Sequence, residues 1–344
     1  MSRFPKALLL LALVPLALRA DGEAKITRGE HTLDLHVGEE SVGKYQFAGT
    51  VALEKEAGTK PLAKPFLWPL NAPGNIPVTR GWPMIRKTPG ETVDHFHQKS
   101  VWFCHGDVIP EGIELKVKSA DKHVKGVDFW SEGVGHGRIV TVAVRDPKQI
   151  SPNHAAVVTV NAWTAPDGQK ILDETRTIHL VSLPTGRLII FDIDLTASVC
   201  PVTFGDTKEG AMGVRVHDAI RSALKDGGTL TNSLGKSGEK DVWGLNADWC
   251  DYYGPIGGKV AGLAVFDDPK NPYRAYWHAR GYGLMAANPF GRNGSGFPGQ
   301  KGKTDLVRLD KGQSLHLRYG VYAHQGTTAE AKVADVYKTF CEMK

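Results

Sequence analysis

The chain has 344 residues, 41% of them hydrophobic and 23% charged, with 39 glycines and 20 prolines. That length supports a sizeable core in one large domain, placed at residues 23–344. The net charge of +5 is interspersed along the chain with no basic run, which argues against nucleic-acid binding.

Arg3 and Lys6 precede an apolar run over 7–18, and small residues follow at Ala20 and Ala24. This pattern predicts a secretory signal over residues 1–22 and an exported protein, periplasmic or extracellular. No later stretch is apolar for long enough to cross a bilayer, so no integral membrane span is expected. Period-two alternation begins at 31–37 and recurs at 113–117, 139–144 and 156–162. Residues 156–183 predict a hairpin, because Pro166-Asp167-Gly168 supplies turn geometry between two alternating runs. Further strands are predicted at 187–196, 260–266, 273–282 and 314–322. The spacing of Val333, Val336, Tyr337 and Phe340 predicts a C-terminal helix over 329–343. Together these elements predict a mainly β fold, a large antiparallel β-sandwich of the supersandwich type with one short terminal helix. Residues 288–304 read as a glycine-rich surface loop, long enough to rim a site. Cys104, Cys200, Cys250 and Cys341 form no C-x-x-C pair and read as buried free thiols.

Residues 94–107 read D-H-F-H-Q-K-S-V-W-F-C-H-G-D and hold three of the thirteen histidines. As a strand, this stretch puts His95, His97 and Lys99 on one face, continued by Phe103 and His105. Asp94, Phe96, Gln98 and Trp102 then face the other way, and Asp107 follows the His105-Gly106 pair. An H-x-H pair suits metal ligation, sugar recognition or acid/base chemistry, since imidazole titrates near neutral pH. Residues 206–217 read D-T-K-E-G-A-M-G-V-R-V-H, in which Asp206, Lys208 and Glu209 would orient a hydroxylated ligand. Arg215 and His217 would share a face of the strand that follows; the competing reading is a turn with a solvated ion pair. Residues 276–290 read Y-W-H-A-R-G-Y-G-L-M-A-A-N-P-F; if extended, His278, Arg280 and Tyr282 share a face, and such groups are expensive to bury unpaired. Asn288 marks the passage into the glycine-rich loop. Trp102, Trp130, Trp249 and Trp277 lie near these polar clusters, where aromatic faces would stack on sugar rings; singly, each is equally well a core residue. A nucleophile elbow, a P-loop and an H-E-x-x-H helix are all missing from the sequence, so nucleotide chemistry is not expected.

The motifs DHFHQKSVWFCHGD, VDFW at 127–130, DTKEG, GPIGGKVAGLAVFDDP and YWHARGYGLMAANPFG occur in this order over nearly the whole chain after the signal. In this the sequence resembles a family of exported bacterial proteins, common in Planctomycetes and Bacteroidetes and often labelled "methane oxygenase PmoA". Members typically read D-H-P-H-H-R in the first motif; here Phe96, Gln98 and Lys99 replace the proline, the second adjacent histidine and the arginine, while His95 and His97 are kept. Particulate methane oxygenation belongs to a membrane-embedded copper enzyme, which does not suit a chain without an expected span. The resemblance implies instead a β-supersandwich, similar in outline to aldose mutarotases and to sandwich domains of polysaccharide lyases, found among sugar-processing proteins.

Two classes of function follow. In the first, the protein is a carbohydrate-active enzyme of lyase, hydrolase or epimerase type acting on a small sugar or glycoside. His97 or His95 would move a proton, His278 or Tyr282 would be the complementary acid, and Arg280, Arg215 and Lys208 would stabilise negative charge. Lys99, Trp102, His105, Asp107, Asp206, Glu209, His217, Trp249 and Asn288 would contribute to substrate binding. A two-carboxylate hydrolase would draw on Asp94, Asp107, Asp206, Glu209, Asp248 or Asp251. In the second class the protein is a non-catalytic glycan-binding module. The sequence requires no cofactor, but His95 and His97, with His105 or His278, would ligate a divalent zinc, iron or copper ion in a metal-dependent variant of either.

Overall fold

The computed structural model describes residues 22–52, 59–85 and 89–343, so the expected signal, apart from Gly22, lies outside the described residues. Among the described residues, two nine-stranded antiparallel sheets dominate. The first runs in the order Ala24–Arg28, Thr32–Val37, Glu40–Gln46, Phe66–Ala72, Val101–His105, Gly210–Arg215, Leu284–Asn288 and Tyr276–Trp277, with Ile76–Pro77 paired to Phe66–Ala72. The second runs Arg138–Val144, His154–Thr164, Lys170–Leu183, Gly186–Thr196, Ser314–Gln325, Lys259–Asp267, Trp249–Ile256 and Thr229–Asn232, with Lys148–Ser151 on the flank of His154–Thr164. One apolar core joins them, from Leu35, Leu70 and Phe103 of the first sheet to Ile178, Phe191 and Val265 of the second. The expected mainly β, antiparallel architecture is what the chain forms.

Local chemistry explains much of it. The predicted hairpin forms between His154–Thr164 and Lys170–Leu183, with Val157 opposite Ile178 and Asn161 opposite Glu174. Its turn closes through hydrogen bonds Ala165 N to Gln169 O and Gly168 N to Ala165 O, and Gly168 takes φ +87°, which only glycine adopts freely. The predicted 113–117 strand does not form: Ile113 and Leu115 lean on the core, but no neighbouring backbone pairs with this segment. The C-terminal helix is shorter than expected, Val333–Glu342. Thr327 and Glu330 cap each other in a separate turn, and Lys332 at φ +53° breaks the chain direction before the helix starts. Its buried Val333, Val336 and Phe340 cover Leu188, Ile190 and Phe266 on the second sheet, away from the main core. Cys104, Cys200 and Cys250 are buried and Cys341 is half-buried, all as free thiols.

A polar network sits inside this core. Glu174 accepts hydrogen bonds from Arg176 (2.5 Å), Asn161 (3.1 Å) and Trp163 (2.7 Å), and Arg176 donates to Tyr45 of the other sheet at 2.8 Å. Glu174 is 0% and Arg176 1% exposed, so the pair replaces water with protein partners.

Candidate active site

Four strands at one edge of the first sheet, Val101–His105, Gly210–Arg215, Leu284–Asn288 and Tyr276–Trp277, pair in succession. Segments leading into and out of them bound a cleft of about 910 Å³. Into it come His95, His97 and Gln98 from one segment, Asp206, Lys208 and Glu209 from a second, and His278, Arg280 and Tyr282 from a third. Asp107, Asp128, Trp130 and Glu239 complete its polar and aromatic walls.

The first segment is not a strand. Pairing begins only at Val101, and His95 (φ +46°) and Ser100 (φ +58°) lie in the left-handed region, which is strained for residues with a Cβ. Arg80, 0% exposed, holds this conformation: one of its nitrogens donates to the main-chain oxygens of Asp94 (3.0 Å) and His95 (3.2 Å), and the other to the Asp94 carboxylate (2.5 Å). Arg215 adds a 2.8 Å bond to the same carboxylate oxygen. Burial alone would raise the Asp94 carboxyl, but the hydrogen bond from His95 and the two guanidinium groups hold it well below the usual carboxylate range. The other carboxylate oxygen lies 3.2 Å from His95 Nδ1. The imidazole is thereby oriented with Nδ1 toward Asp94 and Nε2 turned away from it, the arrangement of a base held by a carboxylate.

His95 stacks on Tyr282, with ring centroids 5.0 Å apart and planes 9° from parallel. Arg215 lies 4.6 Å from the Tyr282 ring and donates to Gln98 Oε1 at 2.7 Å. That bond fixes the amide, so Gln98 Nε2 faces the Tyr282 hydroxyl oxygen at 3.5 Å. The phenol accepts there and keeps its own proton for another partner. Burial raises the Tyr282 pKa, so it is a neutral donor at pH 7.

On the opposite wall, His278 donates from Nδ1 to the Lys208 carbonyl at 2.9 Å, and its Nε2 accepts from Arg280 at 3.4 Å. Burial, with the Arg280 cation adding to it, pushes His278 down to about 3. Burial, with the Lys64 ammonium adding to it, pushes His97 down to about 3 as well. Both imidazoles are neutral at pH 7 and serve as hydrogen-bonding groups. Arg280 lies 3.9 Å over the Trp243 ring and donates to Glu239 at 2.9 Å. Glu209 is the lining carboxylate without a backbone clamp, and burial raises its pKa. By contrast Asp107 accepts from the N–H groups of Lys125 and Gly126, and Asp128 from those of Trp130 and Ser131. Asp206 accepts from the N–H groups of Arg292, Gly294 and Ser295, which ties the glycine-rich loop to the rim as expected of it. Gly205 is required beside this wall, because a Cβ there would collide with the Asp107 carboxylate.

The remaining expectations are corrected by position. Lys99 is buried behind the cleft against Glu132, because the turn at Phe96-His97, closed by Gln98 N to His95 O and Lys99 N to His97 O, breaks the alternation that would have aligned it with His97. Trp102 packs edge-on to Trp130 in the core. His105 is buried between Phe204 and Phe290 and bonds Gly205 O at 2.8 Å. Arg215 is 0% exposed and reaches the cleft only through Tyr282, Gln98 and Asp94. His217 caps the short helix Asp218–Ile220 through Ala219 N. Trp249 packs beneath the C-terminal helix, and Trp277 is buried with its indole N–H on Ala247 O. Asn288 is buried and fastens Thr207, Phe290 and Gly291 to one another. Asp248 pairs with Arg274, and Asp251 is buried against His324, so neither meets a cleft carboxylate. Among the described residues no group of three or more His, Cys, Asp or Glu side chains is placed to hold a metal ion, and His105 and the committed Nδ1 of His278 explain why His95 and His97 gain no third ligand. Sequence reasoning missed Arg80, Glu239 and Trp243; each acts on a residue at least fourteen positions away, and no local pattern marks them.

No helix of the described residues is long and apolar enough to cross a membrane. None of the curated proteins matches the chain. Solved structures that match include the GH36 α-galactosidase AgaB from Geobacillus stearothermophilus, at 10% identity and TM-score 0.38 over 88% of this chain. They also include a galactose mutarotase-like protein from Lactobacillus casei ATCC 334, at 12% identity and TM-score 0.34 over 88% of this chain and 100% of that one. This chain spans 41% of the α-galactosidase, and at these TM-scores neither likeness bears on the site. The family of unknown function DUF6807 matches residues 32–338, nearly the whole of the described chain, and the protein belongs to that family.

Proposed function

We propose that the protein is an exported carbohydrate-active enzyme that transfers a proton on a sugar or glycoside, with His95 as base and Tyr282 as acid. The observation that carries this reading is the stacked His95–Tyr282 pair, in which Asp94 orients the imidazole and Gln98 leaves the phenolic proton free. His95 Nε2 would take a proton from a sugar carbon or hydroxyl, and Tyr282 would give its own to the departing or rearranging oxygen. Arg280 and Lys208 would hold the negative charge that develops between these steps. Arg215 and Arg80 are positioning residues here. The single unclamped carboxylate, Glu209, favours this scheme over a two-carboxylate hydrolase. The N-terminal pattern supports export, and the resemblance to the PmoA-labelled exported proteins supports a sugar substrate. The test is turnover of a panel of glycosides and keto-glycosides by His95→Ala and Tyr282→Phe; folded variants that retain the wild-type rate overturn the assignment.

A second reading, a glycan-binding module without turnover, is favoured by the neutral His97 and His278, which suit hydrogen bonding to hydroxyls. It requires that binding survive His95→Ala and that the wild-type chain leave every bound sugar unchanged.

A further inference from the structure

Behind the cleft lies a second cavity of about 300 Å³, lined among others by Lys64, Phe96, Lys99, Glu132, His136 and Arg138. The two spaces share walls: His97 and Gln98 face the cleft, whereas Phe96 and Lys99 face the cavity, and Trp130 faces the cleft, whereas Glu132 faces the cavity. Inside it Glu132 accepts from Lys64 at 2.6 Å and from Lys99. All three side chains are nearly inaccessible, at 1%, 5% and 8% for Lys64, Lys99 and Glu132.

Among the described residues the charges do not balance. Two ammonium groups share one carboxylate, and the Arg138 guanidinium, which donates to the neutral Leu62 carbonyl, adds a further cation to the same lining. An uncompensated buried charge is strongly unfavourable unless a counter-charge accompanies it. Glu132 itself is held at φ +54°, a conformation kept only where the surroundings impose it, and here it aims the carboxylate between the lysines. Burial holds Lys99 below the ordinary lysine range, Glu132 opposing and the Lys64 ammonium adding to that. A negative group within the cavity would relieve this. The cavity is also small and walled by Phe96, Leu62 and Phe66, so an anion inside it would be poorly screened by water.

We propose that this cavity is an oxyanion-binding site, taking a carboxylate, sulfate or phosphate group against Lys99, Lys64 and Arg138. The group would be borne on a sugar or be a free inorganic ion. The site does not depend on the function assigned to the cleft.

The experiment is thermal unfolding and calorimetric titration of the whole chain with sodium sulfate, sodium phosphate, galacturonate and galactose, each against sodium chloride of equal ionic strength. A rise of about 2–4 °C with saturable binding of sulfate, phosphate or galacturonate, absent with galactose, is expected. Lys99→Met leaves Lys64 and Glu132 as a balanced pair and should abolish that response. A response to galacturonate above that to the inorganic ions assigns a sugar-borne acid; a response to sulfate or phosphate alone assigns a free anion. No response to any of the three, or a response unchanged in Lys99→Met, overturns the site, as it would if Lys99 had given up its proton and left the trio neutral. Should Lys99→Met not fold, crystals of the wild-type chain in selenate decide: an anomalous peak beside Lys99 supports the site, and its absence there overturns it. None of these readouts uses turnover, so an inactive cleft with a responsive cavity would reject the catalytic reading and keep this one.

Discussion

Between the sheets Glu174 accepts from Arg176, Asn161 and Trp163; under the cleft Asp94 accepts from Arg80, Arg215 and His95. Both are carboxylates held by arginine. The first network turns inward and, one Arg176 nitrogen aside, meets only protein, so its energy goes into tying one sheet to the other. The second leads outward and ends on two atoms with unused capacity, His95 Nε2 and the Tyr282 hydroxyl proton. What separates a structural network from a candidate reactive one is therefore where the chain of hydrogen bonds stops, since the residue types are shared.

Cutting each network at its end should change a different property of the protein. His95→Ala should reduce turnover by about 10²–10⁴-fold, the usual scale for losing a positioned base, with little change in urea midpoint. Arg176→Met should do the opposite. It leaves Glu174 buried without its cation and should cost about 3–5 kcal/mol in urea unfolding, while the cleft keeps its shape. If His95→Ala destabilised the chain as much as Arg176→Met, the outward network would be structural too.

Acid separates the regions less steeply. His97 and His278 remain neutral in the folded state down to about pH 3, whereas an unfolded histidine gains its proton near 6.5. Between those values the unfolded chain binds more protons, so stability is full above 6.5 and falls as pH falls, by at most about 1.4 kcal/mol per pH unit for each histidine. Asp94 adds a loss at still lower pH, because its depressed pKa stabilises the fold only while it is ionised. His278→Gln should flatten the profile of unfolding free energy against pH between 3 and 6.5 and leave the Glu174 network untouched. An unchanged slope would mean that His278 is protonated in the folded chain.

The smallest effect belongs to Gln98. Gln98→Leu removes the link between Arg215 and Tyr282 and should change kcat by about tenfold or less, with Arg215 left short of one partner. An unaltered pH profile of kcat would show that the amide does not set the phenol's orientation.

The sheets were legible because their signals are local. Pro166-Asp167-Gly168 set its own turn, and the alternation on either side of it needed only the opposite sheet to bury one face. The helix was legible for the same reason, and its start was misplaced because the Thr327–Glu330 turn carries the same residue spacing as a helical one. The site was legible in membership and not in conformation. His95 and His97 do line one cleft, but alternation was the wrong reason, since Arg80 forces a left-handed turn where a strand was expected. The same turn takes Lys99 behind the cleft, whereas His105 and Trp102 are buried because Val101–His105 is an interior strand covered on both faces. Period-two patterning assumes an unbroken strand and cannot register a guanidinium fourteen residues away.

Asp206 joins two distant parts of the chain. A single carboxylate gathers three main-chain N–H groups of the rim loop across more than eighty residues of sequence. Closing a loop that long carries an entropic cost that is recovered only when both ends have already found their sheets. The rim is therefore expected to close after the sheets pair, and Asp206→Ala should untie the mouth while leaving the sandwich paired.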